Sequence, residues 1–297
     1  MIVSSVVANI PLKAVAFKGR DNQVEDIVSM LQSQAVAITG PGGIGKSALA
    51  TAVLHDSRVV QAYKTSRFFV RCDGPLSASE SAGSSNSKEK LIGIIATRLD
   101  ISTSDRSMEN AVFRFFSKEP SILVLDNLET LWDVSNREFD ELLQRLIAVP
   151  KLKLIVTFRG TLPRSMAWKA VKEIELEILD PMSAREVFLG LSDIQERPSY
   201  PHLDDILSAI EYLPLAIVLL ASQATKEFGL EQLWEEWQRR HSAMLKDGRY
   251  RQEMPGSREL SVHASIEFSL NRLMTTGSAR TLLLSSPCFP MEHLLMT

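Results

Sequence analysis

Residues 35–47 read A-V-A-I-T-G-P-G-G-I-G-K-S, and their reading decides the fold. Ala35–Thr39 has the length and composition of a strand buried on both faces. Gly40 to Ser47 then match G-x-x-x-x-G-K-[ST] in full, and the helix-forming run A-L-A-T-A-V-L follows at 48–54. Strand, glycine-rich loop and helix, in that order, is the context in which this motif holds phosphate. The glycines let backbone N–H groups curl around phosphate oxygens, and the helix presents its positive N-terminus to them. Gly40, Pro41, Gly42, Gly43, Ile44, Gly45, Lys46, Ser47 and Ala48 are therefore candidate nucleotide-binding residues. Lys46 would neutralise the β and γ oxygens of ATP or ADP, and Ser47 would give its hydroxyl to Mg²⁺.

Outward from the loop, short apolar runs recur at Phe68–Arg71, Ile122–Leu125 and Leu154–Thr157. Lys172–Ile178 alternates, with Ile174, Leu176 and Ile178 on one side, and predicts an edge strand. Helical patterns lie between: Leu91, Ile94, Ile95 and Leu99 share one face, as do Val112, Phe115 and Phe116. Strands alternating with helices predict an α/β fold of the P-loop NTPase kind, a parallel sheet with helices on both faces. Ligands of such sheets sit at the carboxyl ends of the strands. Two strand ends there carry chemistry. Ile122-Leu-Val-Leu ends in Asp126, placed to hold the water shell of Mg²⁺ opposite Ser47. Leu154-Ile-Val-Thr-Phe ends in Arg159, which would point over the same edge within reach of a γ-phosphate; a surface arginine after a strand is the other reading. Asn127 follows Asp126 and cannot accept a proton, so Glu129, three residues past Asp126, is the candidate for orienting a water. A solvated loop carboxylate is the other reading of Glu129.

The bulk of the chain suits this frame. Its 297 residues are 45% hydrophobic and 23% charged with net charge −3, which gives no support for nucleic-acid or membrane attraction. Cys72 and Cys288 form neither a disulfide framework nor a metal-ligand spacing, as in a reducing, cytoplasmic setting. Met1 to Ala16 lacks a signal-peptide pattern, and the longest apolar run, Leu213–Ala221, predicts a buried helix. Serine-rich Ser77–Ser87 reads as a loop. After Asp180-Pro181 the strand pattern stops. Ser183 with Glu186 reads as a capping box, and helices are predicted over Leu203–Tyr212, Leu215–Lys226, Leu230–Leu245 and Val262–Leu273. The expected division is an N-terminal extension (1–16), a nucleotide-binding domain (17–180), a helical subdomain (181–255) and a last segment (256–297).

With these motifs placed, the chain resembles an NB-ARC ATPase of the STAND class, the switch module of NOD-like receptors, and most of all the fungal branch. The resemblance spans residues 14 to about 285. F-K-G-R-D at 17–21 is similar to the family's F-x-G-R-E, whose arginine, here Arg20, sits beside the nucleotide. T-F-R at 157–159 resembles its sensor arginine motif. Leu179 with Pro181-Met182-Ser183 resembles the junction into the helical ARC1 part. Y-L-P-L-A at 212–216 is similar to G-L-P-L-A, whose proline, here Pro214, packs on the adenine; without the family, Pro214 reads as a helix start. Ser265–Leu270 resembles the start of a winged helix, which the chain only begins; Met291-Glu292-His293 comes too early to supply that part's histidine. The family's hydrolytic form has a second acid where Asn127 stands here.

The resemblance implies a module that ADP holds closed and ATP opens, with slow hydrolysis and with self-association or receptor and effector proteins as partners. An AAA-like ATPase coupling turnover to mechanical work, or a regulatory decoy, are the alternatives. No guanine-reading N-K-x-D is present, so adenine nucleotides are expected over GTP.

Overall fold

Successive side chains of a strand point to opposite faces, so a strand apolar at every position has to be covered on both. The computed structural model describes residues 10–32, 35–73, 86–101, 107–132, 137–194, 200–226 and 228–246. In chain order, α1 (Asp21–Met30) precedes β1 (Ala35–Gly40), and α2 (Lys46–Leu54) and α3 (Ser57–Tyr63) lead to β2 (Arg67–Arg71). Next, α4 (Ser87–Arg98) and α5 (Met108–Lys118) lead to β3 (Ser121–Asp126). A 3₁₀ turn (Leu128–Thr130) and α6 (Arg137–Ile147) precede β4 (Leu152–Arg159). A second 3₁₀ turn (Ala167–Ala170) enters β5 (Val171–Glu175). Then come α7 (Pro181–Leu191), α8 (Leu203–Ala209), α9 (Pro214–Ala221) and α10 (Leu230–Lys246).

The five strands form one parallel sheet in the order β2-β3-β4-β1-β5. β4 thus separates the phosphate-loop strand β1 from the Asp126 strand β3. Gly40 pairs with Arg159, Leu125 with Val156, and Arg71 with Asp126. Those pairings bring the loop, the acid and the arginine to one sheet edge.

Alternation sorts each strand between two cores. Val36 and Ile38, Ile122 and Val124, and Ile155 join α1–α3 and also α7–α10 on one face. Ala35 and Ala37, Leu123 and Leu125, Leu154 and Val156 join α4–α6 on the other, where Phe116 and Phe139 are fully buried. Each such aromatic burial contributes about 1.5–3 kcal/mol. Among the described residues no helix is long and apolar enough to cross a membrane.

Sequence expectations change at several joints: α8 ends at Ala209 and α9 at Ala221, short of the Tyr212 and Lys226 expected. Ser183 does not cap α7: the helix starts at Pro181, whose missing N–H is harmless in the first turn, and the Asp180 carboxylate accepts the Ser183 N–H at 3.0 Å. The Ser183 side chain instead lies against Gly19, where a β-carbon would sit 2.4 Å from Ser183 Oγ; φ of +69° there also favours glycine. The edge strand stops at Glu175, so buried Leu176 lies just past it and Ile178 is exposed. The Val262–Leu273 helix, residues 247–297 as a whole, and most of the serine-rich loop lie outside the described residues.

Candidate functional site

Between β1 and α2 the chain must turn back on itself with its N–H groups inward, and the glycines allow that. Gly43 has φ of +75°, and a β-carbon there would lie 2.9 Å from that of Leu215. The N–H of Leu215, second residue of α9 and one of the donors a helix start leaves unpaired, bonds the Gly43 carbonyl at 3.1 Å. α9 therefore abuts the phosphate loop directly. Lys46 opens α2 and is buried; its ammonium donates to the carbonyls of Gly40 and Pro41, both at 2.9 Å. Burial pushes its pKa below the ordinary lysine value, the Glu129 and Asp126 carboxylates pull it back, and Arg159 adds to the depression.

Arg20 is nearly fully buried beneath the loop. Its guanidinium donates to the Glu177 carbonyl at 2.6 Å and reaches that of Ile44 at 3.5 Å. Its contacts position the loop backbone, tying α1 and the chain past β5 to it. Burial lowers its pKa against the pull of Asp180 and Glu177.

At the end of β3 the Asp126 carboxylate is 3% exposed, and two hydroxyls converge on Oδ1: Ser47 at 2.7 Å and Thr157 at 2.6 Å. Burial raises its pKa above the ordinary aspartate value, against the lowering effect of those two hydrogen bonds. Arg159 ends β4 over the loop: its guanidinium carbon lies 3.4 Å from where a Gly42 β-carbon would be. Glu129 sits on the 3₁₀ turn after β3, and its Oε2 is buried without a hydrogen-bond partner among the described residues. Pro214 begins α9 half-buried, beside the Leu215 contact to Gly43. The half-buried Ala48 lies in the first turn of α2.

Lys46, Ser47, Asp126, Arg159 and Gly42–Gly43 thus meet at one edge, with Glu129 coupled to Lys46 through charge; Arg20 lies below the loop and Pro214 flanks it. Sequence reading left out Thr157 as a site residue, although a hydroxyl within an apolar central run was its signal. It also left out the tie that holds Asn127. Asn127 lies in the left-handed region (φ +57°); its N–H bonds Thr157 Oγ1 at 2.9 Å and its amide bonds Asp73 Oδ2 at 2.8 Å. Asp73 is in turn paired with Arg71 at 3.0 Å. Burial alone would raise the Asp73 pKa, but Arg71 and Asn127 outweigh it and hold it below the ordinary value. Only folding brings those residues together.

A glycine-rich loop that turns at positive φ at Gly40, Gly43 and Gly45 and carries a buried lysine fits a nucleotide phosphate tail. A serine hydroxyl and a carboxylate fit Mg²⁺, which takes few protein oxygens and completes its shell with phosphate and water. Fold and site define a P-loop NTPase. The chain belongs to the novel STAND NTPase 1 family, whose profile matches residues 11–199. No curated protein matches it. Among solved structures it is similar to a signal transduction ATPase with numerous domains (STAND) that carries a tetratricopeptide repeat sensor, from Pyrococcus horikoshii. Identity is 14% over 89% of this chain and 41% of that one, with a TM-score of 0.49. The chain therefore spans less than half of that protein. A Walker-type ATPase of Pyrococcus abyssi matches at 14% identity over 80% of this chain and 76% of that one, with a TM-score of 0.50; that likeness supports the fold. Domain III of the replication initiation protein DnaA from Thermotoga maritima matches at 14% identity, covering 74% and 92%, with a TM-score of 0.48.

Proposed function

We propose that this chain is the adenine-nucleotide switch of a STAND signalling protein, of the kind that NB-ARC modules form in NOD-like receptors. Residues 17–180 carry the nucleotide with Mg²⁺, and the helical part, residues 181–255, responds to it. The observation that carries this reading is the meeting at Gly42–Gly43 of the phosphate loop with Arg159 on one side and the start of α9 on the other. A loop that must hold phosphate is thereby also the seat of a helix from the following layer. A ligand shifts an equilibrium only by its differential contacts, and a nucleotide at this loop acts on both neighbours. Lys46 and the loop N–H groups bind the phosphates, Arg159 answers the terminal one, and Ser47 and Asp126 hold Mg²⁺, which when bound neutralises phosphate charge. The working place is the cytoplasm, and the partners are copies of itself or receptor and effector proteins.

Lys46→Ala tests the reading by calorimetry with ADP and ATP. Loss of a charge-assisted contact should cost roughly 1.5–3 kcal/mol, ten-fold or more in affinity, with GTP weaker than ATP on the native chain. Unchanged affinity in the variant would sink the nucleotide reading itself.

A further inference from the structure

Glu129 does what a solvated loop carboxylate does not. Its Oε2 is buried and has no hydrogen-bond partner among the described residues. Leaving a buried acceptor unsatisfied costs about 1–3 kcal/mol, more when it is charged, and such groups collect where a ligand or a proton is to be handled. The turn that bears it is well held: Leu128 is fully buried, and Thr130 and Leu131 donate their N–H groups to the Asn127 and Leu128 carbonyls at 3.1 and 3.0 Å. Three residues upstream, Asp126 takes the hydroxyl of Ser47 from the phosphate loop, so the turn leaves β3 at the same edge. Of the ionised groups acting on Lys46, Glu129 acts most strongly. The carboxylate therefore lies near enough to Lys46, the cation of the phosphate loop, for their charges to attract.

Asn127 is closed to the same task by its contacts as well as its chemistry. Its backbone N–H is spent on Thr157 and its amide on Asp73. An acid in its place would set a second carboxylate 2.8 Å from Asp73, where like charges repel.

Resting on the nucleotide reading above, we infer that Glu129 is the carboxylate that takes the proton of the hydrolytic water in this chain. In that step the water oxygen bonds to the γ-phosphorus while the bond from phosphorus to the bridging oxygen breaks. ADP leaves with that electron pair, and the water's proton passes to Glu129 and then to phosphate or solvent. Position 127 instead serves as a structural tie between β3, β4 and the end of β2.

The test compares the native chain, Glu129→Gln and Asn127→Asp on three measurements: calorimetric affinity for a non-hydrolysable ATP analogue, single-turnover hydrolysis, and the nucleotide recovered after loading with ATP. Glu129→Gln is expected to keep analogue affinity, lose roughly a hundred-fold in rate, and be recovered with ATP where the native chain holds ADP. Asn127→Asp is expected to gain no rate and to melt lower. Equal rates for the native chain and Glu129→Gln overturn the inference. So does a matching loss of analogue affinity, which would make Glu129 a counter-charge to Lys46, and so does a native chain that binds the analogue yet hydrolyses nothing. A native chain that fails to bind the analogue overturns the nucleotide reading as well.

Discussion

Asp126 is held where its charge is least welcome, since burial raises its pKa and the Thr157 and Ser47 hydroxyls, with the charge of Arg71, offset that only in part. A carboxyl group whose folded pKa lies above its unfolded value favours folding while protonated, and that contribution is lost as pH rises through the folded value. Asparagine has no charge to bury, and its side-chain oxygen accepts the same two hydroxyls. Without nucleotide, Asp126→Asn is therefore expected to match the native melting temperature below about pH 3.9, the unfolded carboxyl value, and to exceed it at neutral pH. Its affinity for Mg²⁺-nucleotide should fall at the same time. Thermal melts across pH check this, and a variant that melts lower at neutral pH would refute it. The residues that make this trade were only partly legible in the sequence. Lys46, Ser47 and Asp126 declared themselves because phosphate and Mg²⁺ demand those types after strands. Thr157, Asp73 and Arg71 did not, because a hydroxyl in a strand or an ion pair at its end has many ordinary explanations until the register of β2, β3 and β4 sets them around Asp126.

Elements were read well where periodicity governs them and poorly where a joint does. The four apolar runs, and helices bearing the faces of Leu91–Leu99 and Val112–Phe116, follow from side-chain pattern alone, whereas at the start of α7 the Asp180 cap displaces the Ser183 capping box that the sequence suggested. A test follows from that choice. If Asp180 is the cap, Asp180→Ala should lower stability by about 1 kcal/mol, a melting shift of roughly 2–4 °C, while Glu186→Ala leaves it unchanged. The reverse ranking would restore the capping box. At the joint between α8 and α9, Pro214 marked the helix start, but nothing in the sequence signalled the backbone that leads into it. Glu211 and Tyr212 both lie in the left-handed region at φ +52°, which costs a non-glycine residue about 1–2 kcal/mol. Backbone bonds hold them there: Glu211 N–H to Ser208, Tyr212 N–H to Leu207, and Leu213 N–H to Ile210, at 3.0, 3.0 and 3.1 Å. That joint aims α9 at Gly43, so the contact between helix and phosphate loop rests on strain that composition does not reveal.

On the scale of the whole molecule, strand order was the least legible feature, because it is set by which crossovers pack, not by any one segment. The helical part, read from sequence as a separate subdomain, shares its core with the sheet. Phe188, Ile206, Ile217, Leu220, Leu233 and Trp237 belong to the same buried cluster as Val36, Ile38, Leu49 and Val53. A shared core makes for one cooperative transition, and the chain carries its own probes. Of its four tryptophans, Trp132 and Trp168 pack edge to face beside α6 and β4, while Trp234 and Trp237 stack on α10. A variant with Trp132 and Trp168 changed to Phe reports the helical layer, and one with Trp234 and Trp237 changed reports the sheet. The two fluorescence melts are expected to coincide once each is compared with its own calorimetric melt. ADP at a hundred times its dissociation constant stabilises the native state by about 2.7 kcal/mol. That should move both melts by the same amount, roughly 5–10 °C for a chain of this size. A helical layer that melts first, at a temperature ADP does not move, would show that the Leu215–Gly43 contact does not couple it to the nucleotide, and the switch reading would lose its structural basis.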